Sequence, residues 1–170
     1  MRNVASFRAG YYLIALIVVV LDRLTKIAVV RYITLNEGFL SVIPGVFSIT
    51  HVENRGAAFG IFNDSPTHAK YLLLVGFSSL AVIAVVALLW KLGTELTATG
   101  FGLALILGGA LGNQWDRLVQ RKVTDFLHLY YGQYSWPDFN IADSAIVVGA
   151  AMLIFEIVFP RRTAEKQQAS

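Results

Sequence analysis

Long apolar segments alternate with shorter polar ones along this chain. Four of the apolar segments are long enough to cross a bilayer, which requires about 20 mostly apolar residues. The predicted spans are residues 9–30, 71–90, 96–115 and 139–159. The second and third of them carry no charged side chain. The pattern therefore predicts an all-α polytopic membrane protein with four transmembrane helices.

The connections between the predicted spans are unequal. Four crossings place both termini on one side of the membrane, and residues 31–70 and 116–138 then form two long loops on the other side. Residues 39–52 are rich in phenylalanine and β-branched side chains around Pro44-Gly45, a pattern typical of strand, turn and strand. Residues 123–131 have a similar composition. We expect the two outer loops to form a small extracytoplasmic β-sheet.

The distribution of lysine and arginine predicts the orientation. Positive side chains are equally numerous on the two sides, but the segments on the side of the termini are shorter and therefore denser in charge. Since cytoplasmic segments carry this excess, we place both termini in the cytoplasm, with residues 160–170 as a cytoplasmic tail. Arg2 and Arg8 precede the first apolar stretch as in a signal peptide, but no small-residue cleavage site follows. We interpret that stretch as a retained span of a single membrane domain, residues 1–170.

The composition supports a membrane protein and excludes several kinds of site. Hydrophobic residues make up 56% of the chain and charged residues only 15%, whereas a soluble domain has about a quarter charged residues. There is no cysteine, and the three histidines form no His-x-x-x-His pair, so neither a thiolate site nor a zinc hydrolase is expected. We expect no metal and no cofactor. The net charge of +3 is spread along the chain, which gives no indication of nucleic-acid binding.

Polar side chains from separate segments are predicted to meet at the outer side of the membrane. The outer loops and the outer ends of the spans supply them. These candidates are Asp22, Lys26, Asn54, Asn113, Asp116, Arg117, Asp125 and Asp143. Such convergence is what a functional site requires.

Some of these residues also have a structural interpretation. Asp22 and Lys26 are four residues apart with the acid first, which is the favourable order for a helical ion pair. Asp116 is adjacent to Arg117 and could pair with it, while the arginine could also extend to the lipid headgroups.

Three further residues in the spans have mainly structural interpretations. Gly108 and Gly112 are four residues apart, a spacing typical of close packing between membrane helices. Glu156 lies near the inner boundary of the fourth span and is interpreted as an interfacial residue.

Asp143 is harder to explain by structure alone. It lies about four residues inside the fourth predicted span, roughly 6 Å below the outer boundary, where an ionisable group is costly and indicates a functional site. A helix cap is the alternative, but the apolar segment begins before it at Phe139. If Asp125 faces Asp143, burial and repulsion make the two carboxylates share one proton. The ionised member could then deprotonate a water while the protonated member polarises a carbonyl.

Other functions are compatible with parts of this pattern. A small transporter would use Asp22, Arg117 and Asp143 as a conduit, but its ionisable groups should be spread over the depth of the membrane. A presenilin-like protease would need a Gly-x-Gly-Asp motif, which is absent. A serine–lysine peptidase could use Ser144 and Lys26, although Asp22 is a nearer partner for the lysine.

Five sequence blocks together resemble the lipoprotein signal peptidases of bacteria, also called type II signal peptidases. They occur in the family's order and at its spacing and cover residues 11–159. The blocks are Asp22-Arg-Leu-Thr-Lys26, Asn54-Arg-Gly-Ala-Ala-Phe59, Gly108-Gly-Ala-Leu-Gly-Asn-Gln-Trp-Asp-Arg117, Val123-Thr-Asp-Phe126 and Phe139-Asn-Ile-Ala-Asp-Ser144. One block is a modest signal, whereas five in order are highly specific.

The resemblance implies an aspartic endopeptidase of the bacterial inner membrane, with Asp125 and Asp143 as the catalytic dyad. Its substrates would be prolipoproteins whose cysteine already carries a diacylglyceryl group, cleaved just before that cysteine. Prolipoproteins and membrane lipids would be its partners, and we expect a monomer. The resemblance assigns substrate binding or support of the site to Asp22, Lys26, Asn54, Gly108, Asn113, Asp116, Arg117, Asn140 and Ala142.

Overall fold

The computed structural model describes residues 4–56, 68–92 and 97–159. Within these ranges it contains helices and strands in the following order: α1 (Val4–Tyr32), β1 (Phe39–Ile43), β2 (Phe47–Asn54), α2 (His68–Lys91), α3 (Ala98–Gln120), β3 (Val123–Tyr131), β4 (Tyr134–Ser135) and α4 (Ile141–Val158). Each predicted span coincides with one helix. The predicted tail at residues 160–170 and residues 57–67 of the first outer loop lie outside the described residues.

Helix α3 lies at the centre of the bundle and packs against the other three helices. Its glycines permit a close approach. A Cβ added to Gly109 would lie 2.2 Å from the main-chain oxygen of Ala142 on α4, and one added to Gly108 would lie 2.7 Å from that of Ala15 on α1. The interpretation of Gly108 as a packing residue agrees with this contact.

The bundle is apolar on the outside and contains polar groups inside. Leu73 and Phe77 are 72% and 78% exposed, whereas Asp22 and Asn140 are fully buried. Within the described ranges, two helices have the length and composition to cross a membrane, namely α2 over Tyr71–Lys91 and α4 over Ile141–Val158. An exposed surface of this kind is suited to lipid rather than water.

The predicted sheet is present, and both long loops contribute to it. Its strands are antiparallel in the order β1-β2-β3-β4. Gly45 makes the turn between β1 and β2 with a φ of +80°, which only glycine adopts without strain. Strands β2 and β3 pack against α1, and β3 also packs against α3. We call this end of the bundle the sheet end, and the opposite end, where α2 ends and α3 begins, the hairpin end.

At the sheet end, two helices begin or end at residues other than the bounds of the predicted spans. Helix α3 continues beyond residue 115 to Gln120, so Asp116 and Arg117 are helical. Helix α4 begins at Ile141 rather than residue 139, because Asn140 is its N-cap and accepts a hydrogen bond from the main-chain N–H of Asp143. Asp143 therefore lies in the first turn and belongs to the cap, contrary to the sequence-based argument against a capping role. Apolar Phe139 concealed this boundary, since it belongs to the connection before the helix.

Candidate active site

The route of the chain into α4 brings Asp125 and Asp143 to the same place. Asp125 lies in β3, and the residue two positions later, Leu127, pairs with Phe139 in an antiparallel bridge. The main-chain oxygen of Phe139 accepts from Leu127 at 2.8 Å, and its N–H donates to the oxygen of Leu127 at 3.1 Å. The next residue, Asn140, therefore lies beside β3 just as α4 begins.

Asn140 connects the two carboxylates directly. Its side-chain Nδ2 donates to Oδ1 of Asp125 at 2.6 Å, and its main-chain N–H donates to Oδ2 of Asp143 at 3.2 Å. In return, the main-chain N–H of Asp143 donates to Oδ1 of Asn140 at 2.9 Å. One fully buried asparagine thus positions both acids and caps the helix that carries one of them.

Each carboxylate also accepts a hydrogen bond from a second asparagine. Asn54 on β2 donates to Oδ2 of Asp125 at 3.0 Å, and Asn113 on α3 donates to Oδ1 of Asp143 at 2.8 Å. All four carboxylate oxygens therefore have neutral amide donors. Among the described residues, no lysine or arginine forms an ion pair with either acid.

The environment of Asp125 favours its protonated form. Its pKa is raised from 3.8 to about 7, mainly by burial and secondly by the charge of Asp143, while hydrogen bonds from Asn54 and Asn140 oppose the shift. Both the protonated and the ionised form of this carboxyl are therefore accessible near neutral pH. Arg117 is close enough to interact electrostatically with both acids. A buried acid that holds a proton next to a second carboxylate is suited to acid–base chemistry.

The other predicted acids form a separate cluster with lysine and arginine. Nζ of Lys26 lies 2.7 Å from Oδ2 of Asp22 and 2.7 Å from Oδ2 of Asp116, so the predicted helical ion pair is present. Asp116 also forms an ion pair with Arg23. Its charge acts on Arg117 as well, but the close ion pair that the sequence allowed between these neighbours is not among those of the described residues. In the helix, Asp116 faces α1, while its neighbour Arg117 is rotated by about 100°.

Arg23 is a residue that the sequence reasoning missed. It is three positions before Lys26, and residues three apart lie on the same side of a helix. That spacing was the available signal. The side chain is 25% exposed, whereas that of its partner Asp116 is 1% exposed.

The ion-pair cluster contacts the first turn of α4 and the side chain that supports Asp143. Oδ1 of Asp22 accepts a hydrogen bond from the main-chain N–H of Ala142 at 3.0 Å. Lys26 donates to Oδ1 of Asn113 at 3.2 Å, while Nδ2 of the same asparagine donates to Asp143. Gly112 provides the necessary space, since a Cβ there would lie 2.9 Å from Oδ2 of Asp22. Asp22, Lys26 and Asn113 are therefore placed to position the acid on α4.

The arrangement does not favour a serine–lysine peptidase. The hydroxyl of Ser144 donates to the main-chain oxygen of Asn140 at 2.9 Å, and Lys26 is bound to two aspartates. In the part of the chain that the structure describes, no three histidine, aspartate or glutamate side chains form a group that could hold a metal ion.

Comparison with known proteins finds close relatives over nearly the whole chain. Residues 14–159 match the family model of Signal peptidase (SPase) II. The lipoprotein signal peptidase of Solibacter usitatus (strain Ellin6076) is 47% identical over 153 residues, which cover 90% of this chain and 93% of the relative. That of Geobacillus kaustophilus (strain HTA426) is 42% identical over 150 residues, which cover 88% and 94% of the two chains.

A solved structure shares the fold. A bacterial membrane enzyme determined by the in meso method at 2.3 Å resolution matches with a TM-score of 0.82 and 28% identity, covering 95% of each chain. A second such structure at 1.9 Å resolution matches with a TM-score of 0.76 and 31% identity, covering 91% of this chain and 95% of the other.

Proposed function

Because this chain belongs to the signal peptidase II family and is therefore a protease of the aspartic type, we propose that it removes signal peptides from diacylglyceryl-modified prolipoproteins. Cleavage occurs just before the lipidated cysteine, with Asp125 and Asp143 as the catalytic dyad. The observation that carries the proposal is the bridge through Asn140, which holds both carboxylates by hydrogen bonds.

The two acids have different tasks. Asp143 lies at the N-terminus of α4 and accepts a main-chain N–H. It deprotonates the attacking water. Asp125, with a pKa of about 7, supplies the proton that polarises the scissile carbonyl. The water oxygen bonds to the carbonyl carbon, the C–N bond breaks, and the leaving amine takes up a proton.

The amide side chains and Arg117 assist in binding the substrate. Asn54 and Asn140 hydrogen-bond Asp125, and a modest reorientation would let either donate to the peptide backbone. Arg117 interacts electrostatically with both acids and is placed to stabilise the developing oxyanion. The residues that hold α1, α3 and α4 together beside the dyad are Asp22, Lys26, Asp116, Gly108, Gly112, Asn113 and Ala142.

The substrate's lipid explains why the acids lie at one end of an apolar bundle. A diacylglyceryl group keeps the scissile bond at the membrane boundary, so the dyad must be at that depth. We place all four helices across the bacterial inner membrane, with both termini in the cytoplasm and the sheet end at the extracytoplasmic face. The acyl chains lie in a groove between helices while the sheet covers the peptide. One domain over residues 1–170 contains the whole site, so a monomer is sufficient.

The assignment is tested by replacing each acid of the dyad with its amide. In detergent, with a diacylglyceryl-modified prolipoprotein as substrate, Asp125→Asn and Asp143→Asn should each lower kcat/KM by at least about 10³-fold, since each removes an acid–base group. An asparagine at position 143 can still accept the cap hydrogen bond, so the thermal unfolding midpoint should change little.

Glu37→Gln is the matched control, because Glu37 is an exposed acid in the loop before β1. It should cleave at the wild-type rate, and a chelator should leave wild-type turnover unchanged. Turnover near the wild-type level in a folded Asp125→Asn or Asp143→Asn variant would exclude the dyad.

A further inference from the structure

A cavity of about 710 Å³ lies at the hairpin end, far from the dyad. Helix α3 packs against both α2 and α4, whereas α2 and α4 are at most marginally in contact with each other. This leaves a gap between α2 and α4, and the cavity lies in it. Most of its wall is aliphatic, formed by Leu88, Leu92, Leu103, Leu153 and Ile157. The remaining lining residues include one acid, Glu156.

Glu156 is a half-buried carboxylate in this apolar wall. It accepts a hydrogen bond from the hydroxyl of Thr99 on α3. Among the described residues, no lysine, arginine or histidine forms an ion pair with it. An ionisable side chain in a membrane-embedded surface is costly and indicates a function. The neutral Thr99 positions the carboxylate without neutralising it.

The cavity and the dyad lie along the same helix contact. Helices α3 and α4 are joined by side-chain hydrogen bonds at both ends, between Asn113 and Asp143 at the sheet end and between Thr99 and Glu156 at the hairpin end. At 1.5 Å per residue, Glu156 lies about 20 Å from Asp143 along α4.

This distance matches a segment of a secretory signal peptide. Signal peptides have a basic n-region followed by an apolar h-region of about 7–15 residues. As a helix, the longer of these h-regions would span roughly 20 Å. A substrate whose cleavage site is at the dyad would therefore bring its basic residues to the depth of Glu156.

We propose that the cavity at the hairpin end holds the cytoplasmic end of the substrate's helical h-region and that Glu156 binds its basic n-region. This inference rests on the proposed function, and it makes Glu156 a specificity-determining residue. The aliphatic wall receives the apolar helix, and the carboxylate pairs with a lysine or arginine at its cytoplasmic end.

Lys91 also lines the cavity, but it does not oppose this binding. It is exposed at the end of α2, and its long side chain can extend to the lipid headgroups. Glu156 is shorter and held in the wall by Thr99. Arg161 and Arg162 follow in sequence and lie outside the described residues. If either arginine neutralised Glu156, kcat/KM would not depend on the charge of the substrate's n-region.

The test compares two diacylglyceryl-modified prolipoproteins that differ only in the n-region, one with three lysines and one with three glutamines. Cleavage is measured in an uncharged detergent. The wild-type enzyme should prefer the basic substrate about five-fold in kcat/KM, through KM, as expected of a partly exposed ion pair. Glu156→Gln should abolish the preference by slowing the basic substrate only, leaving kcat/KM for the neutral substrate at the wild-type level.

Lys91→Gln is the control at the same cavity, and it should preserve or increase the preference for the basic substrate. The inference is overturned if Glu156→Gln retains the preference for the basic substrate. It is also overturned if the variant loses kcat/KM equally on both substrates, as a structural or lipid-binding role would predict. Failure of the proposed function would look different, because then neither substrate would be cleaved by the wild type or cleavage would survive Asp125→Asn.

Discussion

Two groups of acids lie side by side at the sheet end, all of them buried except the half-buried Asp143, and they have different partners. Asp22 and Asp116 contact Lys26, and Asp116 also contacts Arg23, so the negative charges of this ion-pair cluster are matched by positive ones. Asp125 and Asp143 accept hydrogen bonds from asparagine amides and a main-chain N–H instead.

The difference separates acids that hold the structure from acids that can exchange protons. A cation in contact with a buried carboxylate offsets the cost of burying its charge more strongly than a neutral hydrogen-bond donor does. Burial accordingly raises the pKa of Asp125 to about 7. Asn113 touches both groups, since it accepts from Lys26 and donates to Asp143. The ion-pair cluster thus orients the dyad without neutralising it.

The largest effect on stability should come from breaking the ion-pair cluster at its lysine. Lys26→Met leaves two buried aspartates without their shared cation, which we expect to cost about 3–5 kcal/mol of unfolding free energy. The measurement is the thermal unfolding midpoint in detergent. Lys122→Met is the matched control, because its ion pair with Glu53 is partly exposed and worth no more than about 1 kcal/mol. Equal midpoints for the two variants would refute the structural role of the cluster.

A smaller and more selective effect is expected at Asn140. Asn140→Ser keeps a good N-cap residue but loses the amide that donates to Asp125. We expect kcat/KM to fall about 10–100-fold with little change in the unfolding midpoint. Asn140→Ala should lower activity similarly and also cost about 1 kcal/mol of stability through the lost cap. Wild-type kinetics in the serine variant would show that the amide bridge is dispensable.

The smallest effect is a pH dependence that distinguishes the dyad from the ion-pair cluster. The proposed mechanism requires a proton on Asp125, whose pKa is raised to about 7, so kcat/KM should fall as the pH rises through 7, about ten-fold per unit well above it. The hydrogen bond from Asn54 lowers this pKa, and Asn54→Ala should therefore move the alkaline limb to higher pH by a few tenths of a unit.

Stability offers an independent measurement of the same group. A carboxyl whose pKa is raised in the folded state binds its proton more tightly there than in the unfolded chain. Titration of Asp125 therefore lowers the free energy of unfolding as the pH rises from its unfolded pKa of 3.8 towards 7. Asp125→Asn should remove this part of the decline in the unfolding midpoint. If the unfolding midpoint of the variant falls with pH as steeply as that of the wild type, the titrating group is not Asp125.

Much of the fold was predictable because it depends on local patterns. Long apolar runs identified the helices, and β-branched segments around Pro44-Gly45 identified the β1–β2 hairpin. The four-residue spacing of Asp22 and Lys26 identified their ion pair. The start of α4 was missed because Phe139 is as apolar as the helix, although it pairs with Leu127 of β3.

The sequence by itself determined a membrane-embedded helical chain with polar groups at one end, because the transfer free energy of a segment is a sum over its own residues. Apart from the local pair of Asp22 and Lys26, tertiary structure alone decided which acids have cations and which have amides. Arg23 and Asp116 are 93 positions apart, and Asn54 and Asp125 are 71 apart. A hydrogen bond forms only when the donor–acceptor distance is correct to within a few tenths of an ångström. No pattern along the chain specifies such distances between residues far apart in sequence.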